Sequence, residues 1–245
     1  MLTAPGRLGR PRLHLRETDS TNERAKALAL GGAPHGTLVT AGAQTAGRGR
    51  LGRVWVAPPG AAVLASLVLR GLSDHAALLP LAAAVAVCEA CERCSPVTCS
   101  IKWPNDVWIE GRKVAGILVE GRPQEGWAVL GIGLNVAVRA EDLPDELSAT
   151  ATSLAIEAGS APGIESALVP LLASLEATCA RSAAEVIAAW SARDALRGRA
   201  IRWDRGEGIA EGIDQSGSLL VATEGGRIEL HTGEVGLVRP SGMET

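Results

Sequence analysis

The chain has 245 residues, of which 47% are hydrophobic and 21% charged, and its formal net charge is -3 at pH 7. Those proportions exclude a disordered chain, and the acidic balance argues against a surface given over to DNA or anionic lipid, so any basic site is local. The longest apolar run, Ala76 to Cys88, is interrupted by Pro80 and too short to span a bilayer, and the opening MLTAPGRLGRPRLHL lacks the apolar centre of a signal peptide; a cytoplasmic protein that does not enter membranes is expected.

After a leader rich in Pro, Gly and Arg, RLHLRETDSTNERAKALALGG predicts a short strand and then a helix. Asp19, Ser20 and Thr21 mark its start, and Gly31 and Gly32 its end. GTLVTAGAQ is short and β-branched and predicts a strand that leads into QTAGRGRLGRVW, Gln44 to Trp55. AAVLASLVLR predicts a buried strand, and the alanine-rich stretch from Leu78 to Arg93 a helix packed on the sheet. CSIKWPNDVWIEGRKVAGILVEG predicts three strands, with turns at Pro104-Asn105-Asp106 and Glu110-Gly111. GWAVLGIGLNVAV adds a strand whose glycines mark a close approach of backbone to a neighbour. Helical spacing returns over 164–195, and short β segments separated by Gly, Asp and Ser follow. The expected division is a large domain over 1–195 and a small β-barrel over 196–245.

Two stretches carry chemistry. In GRGRLGR the glycines allow positive φ and close approach to a ligand, while arginine forks match phosphate and carboxylate. The loop lacks the Gly-Lys-Ser/Thr ending of a phosphate-binding Walker loop and the spacing of a dinucleotide fingerprint. A solvated turn and a disordered RNA-binding box are alternatives, the second disfavoured by the flanking strands. In KWPNDVWIEGRKVAGILVE, Lys102 and Lys113 bring positive charge towards a Pro-Asn-Asp turn. Two lysines around a carboxylate suit activation of an acid by a nucleotide, because neutralising both anions lets them meet; a plain hairpin with surface lysines is the alternative.

Together with DSTNE at Asp19–Glu23 and GIGLN at Gly131–Asn135, these motifs occur in an order that resembles the biotin protein ligases, and the likeness continues into LRGRAIRWDRGEGIAEGIDQSGSLLV. The resemblance implies an α/β (α+β) fold, with a class II synthetase-like mixed-sheet catalytic domain followed by an SH3-like barrel. It also implies activation of biotin by ATP and Mg2+ to biotinyl-5'-AMP, followed by transfer to a lysine of a biotin carboxyl carrier protein. By the same matching, Ser20, Thr21 and Gln44 meet the ureido ring of biotin and Asn22 supports that wall. The loop from Gly47 through Arg48, Gly49 and Arg50 to Arg53 folds over biotin and phosphates, with Arg48 and Arg50 as anion clamps. Trp55 lies near adenine and Asn135 bonds it. Lys113 touches both the biotin carboxylate and the α-phosphate; Lys102, Asn105 and Asp106 line the triphosphate and metal region; Gly116 lets backbone approach biotin. Leu51 stands where many members carry a basic residue. Larger members carry a DNA-binding head for which the few residues before the first strand leave no room, so no operator binding is expected, and homodimers are frequent in the family.

The remaining conspicuous residues read as structural. Cys88, Cys91 and Cys94 drift around the helix axis and, with Cys99 and Cys179, are expected to be buried or half-buried free thiols. His14, His35, His75 and His231 show no metal spacing. With no Phe or Tyr in the chain, Trp103, Trp108, Trp127, Trp190 and Trp203 are expected in the core. Two rivals remain: a lipoate or octanoate ligase or transferase of the same fold, and a non-catalytic ligand or nucleic-acid binder.

Overall fold

The computed structural model describes residues 7–72 and 76–238; His75, the first six residues of the leader and residues 239–245 lie outside them. In chain order, the first part of the chain forms β1 (Arg12–Leu15), α1 (Thr21–Leu30), β2 (Leu38–Ala41), β3 (Ala62–Arg70), α2 (Leu79–Cys94), β4 (Ser100–Lys102), β5 (Asp106–Ile109), β6 (Arg112–Arg122) and β7 (Trp127–Asn135). Then come α3 (Leu154–Ala158), α4 (Ile164–Cys179) and α5 (Ala183–Ser191). The strands make one seven-stranded sheet in the order β1-β2-β3-β7-β6-β5-β4. β1 pairs with β2 in parallel and the other neighbours are antiparallel, so the sheet is mixed, as expected.

Alternation along the two central strands divides the interior. Val63, Ala65, Leu67 and Leu69 of β3, with Leu130, Ile132 and Leu134 of β7, join the large core under α2 and α4. On the other face Val68, Trp127 and Val129 meet Ala25 and Ala29 of α1 in a smaller core. α1 covers one end of that face, with its Asn22 lying over Gly131, and Gly133 and Asn135 continue the row beyond the helix. That uncovered half of the sheet is where the site lies.

The chain then forms β8 (Ala200–Trp203), β9 (Gly206–Ile213), β10 (Leu219–Thr223), β11 (Gly226–Leu230) and β12 (Gly236–Leu237), an antiparallel sheet in the order β11-β10-β9-β8-β12. Ile101 N donates to Arg193 O (2.7 Å) and Ala195 N to Ile101 O (2.9 Å), whereas Gly198 N donates to Ala210 O (2.7 Å), so the chain leaves the first sheet for the second between Ala195 and Gly198. The indole of Trp103 fastens the two parts: it is 2% exposed and its Nε1 donates to Gly217 O at 3.0 Å.

Trp127 and Trp190 are buried as expected, and Trp203 packs half-buried against the core. Trp108 departs from the expectation. Alternation along β5 turns Val107 and Ile109 inward, so Trp108 is half-buried on the opposite face, with Lys102 Nζ 5.5 Å from its ring centroid. The start of α1 also differs: Ser20 is the capping residue, but its side chain caps nothing, and the amide of Thr21 donates instead to Gln44 Oε1 at 2.7 Å. His14 meets Thr40, His35 accepts from Arg70 N and His231 meets Ser218, all contacts of a structural kind. Among the described residues no helix is long and apolar enough to cross a membrane.

Candidate functional site

A cavity of about 680 Å³ opens over the uncovered half of the sheet. Its size suits a small organic ligand, since such pockets run from about 300 to 1,000 Å³. The floor is shaped by glycines, because side chains from other motifs occupy the space a Cβ would take. A Cβ on Gly131 would stand 2.1 Å from Asn22 Oδ1, and one on Gly133 would stand 2.4 Å from Trp55 Cε2. One on Gly116 would meet Trp55 Cζ3 at 3.1 Å and Lys113 Cε at 3.2 Å. Thus DSTNE, the arginine loop, KVAG and GIGLN converge on one surface, and the Trp55 indole lies across β6 and β7.

The wall above α1 is a hydrogen-bonded set. Gln44 Oε1 accepts from Thr21 N and from Thr21 Oγ1 (3.1 Å), which leaves its amide nitrogen for another partner. Ser66 donates to Asn22 Oδ1 at 2.6 Å, and Asn22 Nδ2 donates to Glu120 Oε2 at 2.9 Å. Ser20 joins this wall. Farther along, Asn135 donates through Nδ2 to Thr152 O (2.9 Å), while its buried Oδ1 and the buried Nε1 of Trp55 have no partner among the described residues. An unpaired acceptor and donor inside one cavity call for a ligand or water, since buried polar atoms are nearly always satisfied.

Lys113 reaches this face through an irregularity. Strict alternation on β6 would send it to the core side with Ala115 and Ile117. The pairing of β5 with β6 instead runs Trp108 to Lys113 and Val107 to Ala115, so Val114 is an extra residue and Lys113 swings onto the face of Gly116. Its Nζ lies 2.6 Å from Asp106 Oδ1 and 5.7 Å from the Trp55 ring centroid. Asn105 is fixed by donating to Ile117 O (2.7 Å) and accepting at its own carbonyl from Ile117 N (3.0 Å). Burial pulls the pKa of Lys102 below the usual lysine value, with Asp106 opposing and Lys113 adding to the fall.

The arginine loop is a compact turn. Gly49 N donates to Arg53 O (2.7 Å), Trp55 N donates to Gly47 O (3.0 Å), and Leu51 takes φ 53° at the tip, 74% exposed. Gly47 does not line the cavity; a Cβ there would strike Trp55 O at 2.3 Å, so it is the glycine that closes the turn. The three arginines go to different places. Arg50 Nη1 donates to Asn105 Oδ1 at 3.3 Å, and burial lowers its pKa while Glu234 and Asp106 oppose the shift. Arg53 pairs with Glu234 beside the second sheet, and Arg48 pairs with Glu23 and, at 3.4 Å, with Glu120.

Part of the wall has no counterpart in the sequence motifs. The segment after β7 contributes Asp142, Leu143, Pro144, Leu147 and Ala149 to Ala151, and the second sheet and its approaches contribute Arg199, Glu234, Leu237 and Val238. The turn returns across the site because Lys113 N donates to Thr150 O and Thr152 N to Lys113 O, each at 2.8 Å. Neither stretch has a period or composition that announces it. The five cysteines are free and none lines the cavity; Cys88, Cys91, Cys99 and Cys179 are buried and Cys94 half-buried. They are buried or half-buried thiols, as expected; Cys88 and Cys91, three residues apart on α2, both meet Cys99, and burial holds the Cys88 thiol well above the ordinary thiol range.

Comparison with known proteins gives concordant matches. Residues 15–136 match the biotin/lipoate A/B protein ligase family and 203–238 the biotin protein ligase C-terminal domain. The biotin--[acetyl-CoA-carboxylase] ligase of Paracoccus denitrificans is 39% identical over 237 residues, covering 90% of this chain and 98% of that protein. The bifunctional ligase/repressor BirA of Bacillus subtilis is 46% identical over 145 residues, 57% of this chain, and the match spans about half of that relative, 45%. A solved structure of the Aquifex aeolicus biotin protein ligase in complex with biotin and ATP superposes with a TM-score of 0.83 at 30% identity, covering 94% of this chain and all of that one, 100%.

Proposed function

Because the chain belongs to the biotin protein ligase family, we propose that it activates biotin with ATP to biotinyl-5'-AMP and transfers the biotinyl group to a lysine of a biotin carboxyl carrier protein. The observation that carries this reading is Lys113, delivered by the bulge at Val114 into a cavity that also holds Lys102, Arg50 and Arg53. A carboxylate and a triphosphate repel one another, and an ammonium between them offsets that repulsion as their charges are redistributed in the transition state.

Ser20, Thr21, Asn22 and Gln44 take the ureido ring, for which the free amide nitrogen of Gln44 is a ready donor. The acid lies over Gly116 towards Lys113. The unpaired Asn135 Oδ1 suits the amino edge of adenine, and Trp55 presents a flat face and an unpaired N–H beside it. A biotin carboxylate oxygen attacks the α-phosphorus, the bond to the β-phosphate oxygen breaks, and pyrophosphate leaves on the side of Arg50, Arg53 and Lys102. The carrier lysine, as a neutral amine, then attacks the anhydride carbonyl and AMP departs with the bonding electrons. Asp106 holds the Lys113 ammonium in place before the substrates arrive.

Mg2+ fits as an ion that travels with ATP. Magnesium commonly uses one or two protein carboxylates plus substrate phosphates, and Asp106 and Glu234 are carboxylates on the wall that carries Lys102, Arg50 and Arg53. When bound there it neutralises phosphate charge. The chain divides into a catalytic part over 1–195 and a barrel over 196–245, which the change of hydrogen-bond partners after Ala195 supports. We place the enzyme in the cytoplasm, where the carrier is made.

A lipoyl or octanoyl transferase working through a cysteine would need that thiol in the cavity, which none of the five provides. The test is ATP–pyrophosphate exchange with biotin, lipoate and octanoate in parallel. Exchange with biotin alone is expected; exchange with lipoate instead moves the chain to the sister activity, and none with any acid leaves a binder without catalysis.

A further inference from the structure

We propose that Glu23 and Glu120, bridged by Lys26, form a latch that fastens the arginine loop over the cavity through Arg48 and so sets how long the activated acid is retained. The proposal rests on the ligase reading and assigns positioning roles to residues of α1 and β6. Arg48 Nη1 pairs with Glu23 Oε1, and its Nη2 lies 3.4 Å from Glu120 Oε1. Lys26 Nζ stands between the two carboxylates, 2.7 Å from Glu23 Oε1 and 3.3 Å from Glu120 Oε1, and so offsets their mutual repulsion. The loop arginine therefore meets a prepared pair of anions rather than open solvent.

Two connections give the latch a bearing on the reaction. Arg48 pairs across the turn with Val54, whose neighbour Trp55 lies over Gly116 and Gly133, so fixing Arg48 fixes the indole on the floor. Glu120 spends its other oxygen on Asn22 Nδ2, in the wall assigned to the ureido ring. One carboxylate thus touches both the ligand wall and the loop, and a ligand that settles Asn22 also settles the fastener. Burial works against the charge of Glu120, but Asn22, Lys26 and Arg48 outweigh it and draw its pKa below the ordinary carboxylate value.

The test needs no substrate in its first arm. Trypsin cuts the loop after Arg50 only when the turn opens, and the cutting rate follows the population of that open form. With Arg48 unaltered, Glu23→Gln is expected to raise cleavage between Arg50 and Leu51 about threefold, and Glu23→Gln with Glu120→Gln about tenfold, sizes suited to partly exposed pairs in a network. In the second arm, labelled biotinyl-adenylate is formed on the enzyme and chased with unlabelled biotin and ATP; its escape is expected to rise by the same factors. Exchange at saturating biotin and ATP stays unchanged in Glu23→Gln. Cleavage at the unaltered rate in both variants overturns the latch, as does a loss of exchange without faster cleavage. Failure of the ligase reading shows separately, as no biotin-dependent exchange by the unaltered protein, and the cleavage rates then decide the latch alone.

Discussion

The floor of the cavity and the loop above it are held in different ways. The floor is backbone and small residues set in the ladders of β6 and β7, where each strand is bonded along its length and the glycines leave space for Asn22 and Trp55. The loop is held by a short turn and by ion pairs to α1, β6 and the approach to β12, which are partly exposed. A floor of that kind cannot adjust without disturbing the core below it. A loop held by exposed charges opens at small cost, because each such pair is worth only about 0.2–1 kcal/mol. On the proposed reading, substrate shape is read by the rigid half and timing by the loose half.

The sharpest way to break this contrast is to remove charge from the floor. Lys113→Ala is expected to slow biotin-dependent exchange by about a thousandfold, the upper range for losing one preorganised donor to a transition state. The far-UV circular dichroism should stay native, because Lys113 sits at a cavity wall; a rate near that of the unaltered enzyme removes it from the mechanism. Next in size is Gly133→Val, which puts carbon where Trp55 Cε2 already lies 2.4 Å away from a Cβ position. Displacing the indole by an ångström should cost about a hundredfold in kcat/KM for biotin, as small misplacements at reacting centres do. Steady-state kinetics with biotin varied will show it, and a loss below threefold would mean that the floor is softer than its glycines indicate.

The smallest of the three probes the cationic side through pH. Burial depresses the pKa of Lys102, so its charge is lost, as pH rises, earlier than that of an ordinary lysine at 10.5. The KM for ATP should rise by about tenfold over that alkaline limb, the scale of losing one hydrogen bond to a charged group. Lys102→Arg should push the limb to higher pH; an unmoved limb would assign it to another group.

Much of the rigid half can be read from local sequence. The alternation of β3 and β7 and the glycine-free run of α2 predict their own burial, and the two hairpins follow from Pro104-Asn105-Asp106 and Glu110-Gly111. Even there one point escapes. Simple alternation gives Lys113 the wrong face, since only the pairing with β5 reveals the extra Val114. The loose half is mostly illegible for a related reason: its determinants lie far apart in the chain. GRGRLGR puts Arg48 and Arg50 forward alike as anion clamps, yet Arg48, Arg50 and Arg53 engage Glu23 and Glu120, Asn105, and Glu234 respectively. The cap of α1 by Gln44 and the wall from Asp142 to Ala151 are hidden in the same way, because irregular polar segments carry no period.

The wall that Glu234, Leu237 and Val238 contribute has a consequence for the making of the protein. A nascent chain still emerging from the ribosome has all seven strands of the first sheet once β7 is out, but Lys113 still lacks its backbone partners Thr150 and Thr152, and the cavity lacks Glu234, Leu237 and Val238. It then has a floor but no far rim, and anything that binds is open to water on that side. On the proposed ligase reading, retention of the activated acid would then need the last strands, and a chain released early would be a vessel open on that side.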